Sequence, residues 1–221
     1  MTEQLALLFK FGKHKDLESF RSGTLFMNTQ RYFSEHERDA LRGDEYEGTD
    51  QIHQPRDIVS LRILDNLNGT EILLGPEQLA GPLKIGFGTR SYNLFCMYAI
   101  MDFHNCRNPL VDPQNLRFGD SFIVVRKTQP FLKRVAAAIA SAGLVGVCKP
   151  VEYFDLRTHS GDTGPFRKPS TFSFQQEFRI AAYPGSSDAI KLSLGNLEDI
   201  TTRIFPLADI NNIVKCSLPD D

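Results

Sequence analysis

The 221-residue chain has no tryptophan and only four cysteines. Cys96, Cys106, Cys148 and Cys216 lie far apart and form no C-x-x-C pair. That spacing offers neither a zinc-ligand set nor a disulfide frame, and it reads as reduced thiols placed mostly in the core. With tryptophan missing, aromatic surface falls to 17 phenylalanines, a supply that serves a ligand cleft and a core equally well. Neither sign of charge dominates. A net charge of −2 argues against nucleic-acid binding driven by bulk charge, and still allows a local basic groove. Long apolar runs are also missing: the longest, Leu94–Met101, is far short of a membrane span. The opening MTEQLALLFKFG lacks the basic start and long apolar centre of a secretory signal, so a cytoplasmic location is expected. His14, His36, His53, His104 and His159 form no H-x-x-x-H or H-E-x-x-H pattern, so no zinc hydrolase is indicated and no metal site is expected.

What is present is ordinary for a folded protein. Hydrophobic residues make up 41% and charged residues 24%, enough to bury a full core in one domain spanning residues 1–221. Leu5–Phe11 and Thr24–Asn28 read as strands around a short helix over Lys13–Arg21. Leu17 and Phe20 face inward there, and Gly23 is placed to cap the helix. An aromatic turn or helix starts at Gln30. From Glu35 to Asp50 seven acids face two arginines, which predicts a mobile, solvated acidic loop over about residues 35–57 or, as the alternative, an acidic site loop. Asn66–Gly69 predicts a hairpin between two apolar runs. Leu94–Ile100 is continuously apolar and so should be a central strand. The clearest helix opens at Pro130 and stops at Gly143. Later apolar runs, including Thr201–Phe205 and Asn212–Leu218, read as strands. Strands outnumber helices, which predicts an α+β domain with few helices and a mixed or mostly antiparallel sheet.

The stretch Thr171–Pro184, TFSFQQEFRIAAYP, carries the most chemistry. Read as one extended strand, it places Phe172, Phe174, Gln176 and Phe178 on one face and Ser173, Gln175, Glu177 and Arg179 on the other. Such a polar face is either a solvated edge or a site. In that geometry Gln175 and Glu177 stand about two residue rises apart. The amide is then placed to orient a substrate while the carboxylate takes a proton or steadies a developing cation.

Three segments taken together carry a family resemblance: LFKFGKHKDLESFRSGTLFMNTQRYF at 7–33, GDEYEG at 43–48 and FQQEFR at 174–179. Their order resembles a bacterial and phage family of unknown function with the pattern YKY…G.L.fs.p..FNDPfE…E.EyR. The opening strand–helix–Gly–strand unit and the late Q-x-E also resemble ADP-ribosyltransferase domains, including DarT-like toxins. The resemblance implies a split sheet holding NAD in a cleft. It matches Lys10 to the polar position of the first strand, Tyr32 and Phe33 to the aromatic wall, Glu177 to the catalytic glutamate and Gln175 to the residue two before it. Lys10 stands where the family has His or Arg, and no Ser-Thr-Ser strand motif is present.

On that resemblance the expected function is transfer of ADP-ribose from NAD to a protein or nucleic acid, as a toxin or a phage-defence effector with an antitoxin or defence-system partner. Cleavage of the nicotinamide–ribose bond develops positive charge on the ribose, which a nearby carboxylate stabilises. Lys10 or Arg90 is suited to the pyrophosphate, and Tyr32, Phe33 or Tyr98 to stacking on nicotinamide. Lys10, Tyr32 and Glu177 should then share one cleft, and Lys10 and Glu177 on opposite sheet faces would end the transfer reading. Two other classes stay open. One is a non-enzymatic module whose aromatic cleft binds a nucleotide or a protein partner. The other is a Mg²⁺-dependent nuclease built on Asp155 or Asp162 with Glu177-x-Arg179, in which Arg stands where a Lys is expected.

Overall fold

The computed structural model describes residues 7–36, 44–65, 68–86, 91–101 and 109–215. The chain opens with strand β1 (Leu7–Gly12), helix α1 (His14–Arg21), strand β2 (Thr24–Thr29) and helix α2 (Gln30–His36). Short strands follow: β3 (Gln51–His53), β4 (Leu61–Asp65), β5 (Thr70–Leu74) and β6 (Leu83–Ile85). The long strand β7 (Asn93–Ile100) leads to β8 (Ser121–Val125) and helix α3 (Thr128–Ser141). Next come β9 (Val145–Pro150), β10 (Glu152–Phe154), β11 (Gly161–Asp162), β12 (Arg167–Pro169) and β13 (Glu177–Tyr183). The chain closes with β14 (Ile190–Ser193), β15 (Phe205–Pro206) and the short helix α4 (Ile210–Ile213). The fold is α+β, and its main sheet is antiparallel at every pairing.

Strand β7 is the centre, as its unbroken apolar run predicts. On one edge it pairs with β13, from Ala182↔Asn93 to Glu177↔Tyr98. Its other edge is shared. Strand β2 takes one end through Asn28↔Leu94 and Thr29↔Asn93, and β1 takes the other through Leu7↔Ile100 to Phe9↔Tyr98. Among the described residues Phe95, Cys96 and Met97 have no strand partner on that edge. Beyond Phe9 the first strand stays with β8 through Lys10↔Ile123 and Gly12↔Ser121. The sheet therefore splits over the middle of β7.

Helix α1 spans β1 and β2 across one face of this split. Leu17 and Phe20 pack there with Phe95, Met97 and the buried face of α3, and the Phe20 and Phe95 rings stack at 5.4 Å. Phe178, Ile180 and Ala182 of β13 join the same core layer. Phe9, Tyr98, Ile100 and Phe122 form a second apolar layer on the opposite face. The alternation along β1, β7 and β13 follows the two-residue period of a strand with both faces covered.

Gly23 does what its position after α1 predicts. It sits at φ +109°, and a Cβ there would come 2.2 Å from the Gly195 carbonyl oxygen. Its own carbonyl accepts from Leu194 N–H at 2.7 Å, joining the cap to the end of β14. Gly23→Ala is expected to cost more than about 1 kcal/mol, through both the positive φ and the clash. Chemical denaturation measures this, and an unchanged midpoint would contradict it.

Four expectations need correction. Thr201–Phe205 is not a strand: Thr201 makes a single bridge to Val125, and only Phe205–Pro206 pairs, as β15. Thr171–Pro184 is not one strand: Ser170–Gln175 forms a 3₁₀ turn, Gln176 adopts φ 37°, and the strand starts at Glu177. Over Asn212–Lys215 no strand forms either, because Ile210–Ile213 is helical and Ile210 is buried in the layer of Leu207 and Phe122; residues 216–218 lie outside the described residues. The acidic segment is not a solvated loop where it is described. Asp44, Tyr46 and the Glu47 side chain are buried, and residues 51–53 form β3. Residues 37–43 of that segment lie outside the described residues, as do Arg90, Cys106 and Cys216.

Candidate functional site

The split opens into a cleft of about 890 Å³. Lys10, Tyr32, Phe33, Tyr98, Gln175 and Glu177 all line it. Their routes to it differ. By register Lys10 leaves β1 on the face of Leu8 and α1, whereas Glu177 leaves β13 on the opposite face, with Tyr98 and Arg179. The two side chains share the cleft because the sheet is open between β1 and β2. Lys10 Nζ reaches into the opening, donates to the Cys96 carbonyl at 2.7 Å and lies 4.5 Å from the Phe95 ring centroid. It thereby serves a carbonyl on the part of β7 that has no strand partner on that edge.

Tyr32 is 40% exposed at the mouth and meets Phe33 edge-on at 5.6 Å. The Thr29 hydroxyl accepts from Tyr32 N–H at 3.0 Å, which fixes the start of α2 and so the angle of this aromatic pair. Tyr98 is nearly buried among Phe9 and Phe11, and its hydroxyl donates to the Leu110 carbonyl at 3.2 Å. Its ring is wall and core at once.

Glu177 is not a bare carboxylate. Arg179 Nε donates to its Oε1 at 2.8 Å, and Lys168 Nζ lies 3.0 Å from its Oε2. Lys168 also donates to Gln175 Oε1 at 2.9 Å, so the lysine joins the amide and the carboxylate that the sequence placed side by side. Arg179 spends all five of its N–H groups. Beyond Glu177 it pairs bidentately with Glu47 at 2.7 and 3.0 Å and donates to the Pro165 carbonyl at 2.5 Å. The Tyr153 hydroxyl accepts from Glu177 N–H at 2.9 Å.

Burial alone would raise the Glu177 pKa, but Arg179 and then Lys168 overcome it and hold the carboxyl well below the usual range. Burial would likewise lower Lys168 and Arg179, and the facing carboxylates raise both instead. Two cations and two carboxylates thus neutralise one another. Asp44 sits beside this group with its pKa pushed up to about 6, chiefly by burial, although the Tyr46 N–H it accepts at 2.9 Å opposes the rise.

Sequence reasoning found Glu177 and Gln175 and marked Glu47 within GDEYEG, but missed that Glu47 meets Arg179 and missed Lys168 and Tyr153. Glu177-x-Arg179 was visible as one polar face of a strand. Nothing local in the other segments shows that they meet it, since Glu47 is 132 residues from its arginine.

The cleft differs in charge from the protein as a whole. Six cations line it, Lys10, Lys13, Lys15, Arg117, Lys168 and Lys191, against the carboxylates of Asp16 and Glu177. Phe26 is 46% exposed at its mouth, with Lys191 Nζ 6.0 Å from the ring centroid. A smaller hollow of about 360 Å³ beside α1 is lined by groups that pair with one another, Arg21 with Glu198 at 3.0 Å and His14 with Glu18 at 3.5 Å.

The acids of the nuclease alternative have other partners. Asp155 accepts from Arg157 N–H at 2.9 Å, and Asp162 from Gln51 Nε2 at 2.8 Å. Among the described residues no three His, Cys, Asp or Glu side chains are grouped as metal ligands. No helix of the described residues is long and apolar enough to cross a membrane. No family model, curated protein or solved structure matches the chain.

Proposed function

We propose that this protein binds a nucleotide in the split of its main sheet. The observation that carries the proposal is the concentration of cations, five besides the neutralised Lys168, and of exposed aromatic rings in one cleft of a chain whose net charge is −2. Phosphate groups suit the cations, and a planar base suits Phe26 and Tyr32 at the mouth. A cleft of about 890 Å³ is within the range of small-molecule sites and large enough for a dinucleotide such as NAD.

Titration calorimetry with NAD, ATP and AMP should give saturable binding that weakens as salt rises. The double charge reversal Lys13→Glu with Lys191→Glu should weaken it by roughly tenfold or more. Both lysines are exposed, so the melting temperature should stay put. Absence of binding by all three nucleotides would end the proposal.

ADP-ribosyl transfer from NAD is the second reading, favoured by Glu177, the carboxylate on the inner wall of the same cleft. Two features weigh against it. Lys168 and Arg179 neutralise the charge that would oppose a ribose cation. Lys10 and Glu177 arise from opposite sheet faces, the arrangement set to end this reading, which is kept only because the open sheet brings both side chains into one cleft. Incubation with labelled NAD and cell extract separates the readings. If transfer occurs, Glu177→Gln should lower it by about 10²–10³ while NAD binding persists. If nucleotides bind and no macromolecule is labelled, the binding module stands.

A further inference from the structure

Asn115 is 1% exposed and lines the cleft from the short turn Pro113–Phe118. Its Nδ2 donates to the Phe174 carbonyl at 2.8 Å and to the Asp112 carbonyl at 3.2 Å. Those two bonds fix the amide, because a flip would set Oδ1 against two carbonyl oxygens. Asn115 Oδ1 has no hydrogen-bond partner among the described residues. Yet the only side-chain nitrogen or oxygen atoms among those residues that are both unpartnered and sealed from solvent are Arg21 Nε and Tyr92 OH. Asn115 lines the cleft with its Nδ2 already spent, so Oδ1 is the polar atom of its side chain left to meet a ligand there.

A buried amide oxygen held toward a cleft with nothing to accept from is costly unless a donor arrives. From this we infer that Asn115 selects the ligand by accepting a hydrogen bond from an amino group on its planar ring, the chemistry of an adenine-type exocyclic amine or a ring carboxamide. A ring with a carbonyl or carboxylate oxygen there would set acceptor against acceptor. The Phe174 carbonyl that orients Asn115 belongs to the 3₁₀ turn that also carries Gln175, the residue whose amide accepts from Lys168. The neighbouring cations take phosphate without regard to the ring, whereas Asn115 distinguishes one ring from another.

This inference rests on nucleotide binding in the cleft, and its test separates the two. Wild-type protein is titrated with AMP against IMP, with NAD against nicotinamide hypoxanthine dinucleotide, and with NAD against nicotinic acid adenine dinucleotide. At least one loss of an amino group should weaken binding about tenfold or more. The pair that shows it names the ring: hypoxanthine for an adenine-type amine, nicotinic acid for a carboxamide. In Asn115→Ala, checked for an intact melting transition, that preference should shrink toward unity. Equal binding within each pair overturns the inference and leaves nucleotide binding standing. Absence of binding by every compound removes both. If Asn115→Ala does not fold, the wild-type comparisons alone decide the matter, and a preference that survives in a folded variant also overturns it.

Discussion

Replacing Arg179 with methionine should lower stability by about 3–5 kcal/mol, the usual cost of leaving a buried ion-pair partner uncompensated. The guanidinium is 1% exposed and holds Glu177 and Glu47 together. Removing it leaves two buried carboxylates facing Lys168 alone, and the Pro165 carbonyl loses its donor. In a protein of this size such a loss should lower the melting temperature by roughly 6–20 °C. Arg179→Lys should recover only part of the difference, since one ammonium cannot reproduce the two-sided fork. A methionine variant that melts within about 2 °C of wild type would show that the network contributes little to the folded state.

The second large effect is in the pH dependence of stability. Asp44 has an ordinary value of 3.8 and is raised to about 6 in the fold, so the native state holds its proton more tightly than the unfolded chain does. Its contribution is complete below about pH 4 and is lost as pH rises through about 6. The difference corresponds to about 3 kcal/mol. Glu177 runs the other way: its folded pKa is depressed, so its contribution is complete above the ordinary 4.5 and is lost as pH falls below it. Stability should therefore rise from pH 7.5 toward about 5 and decline below about 4. Asp44→Asn keeps an oxygen for the Tyr46 N–H and removes the charge, so it should raise the melting temperature at pH 7.5 and flatten the rise toward pH 5. Differential scanning calorimetry across this range checks both points. Melting that drops steadily from pH 7.5 to 5 in wild type and variant alike would refute the assignment.

Both effects arise where distant segments meet, which bears on how much of the protein could be read from its sequence. Local pattern sufficed for β1, α1 and β2, because Leu17 and Phe20 recur at helical spacing and Gly23 supplies the positive φ that ends the helix. It also sufficed for β7, whose unbroken apolar run matches burial on both faces. It misled at Thr171–Gln175. Alternating aromatic and polar residues suit a strand, yet that segment turns, and Asn115 from another part of the chain bonds to its Phe174 carbonyl. The acidic run misled over its described residues 44–50 for a related reason. Charge density predicts solvation unless a buried cation is waiting, and the cation waiting for Glu47 is Arg179.

The sequence by itself determined the strand-rich α+β character, the central strand, the α1 cap and the polar face carrying Glu177 and Arg179. These depend on propensities and periods that span only a few residues. The split of the main sheet, the gathering of six cations in a weakly acidic chain, the neutralisation of Glu177 and the placing of Asn115 on the cleft wall were decided by the tertiary structure alone. Each depends on which distant strands pair and where they part, and so on contacts between residues that no local period relates.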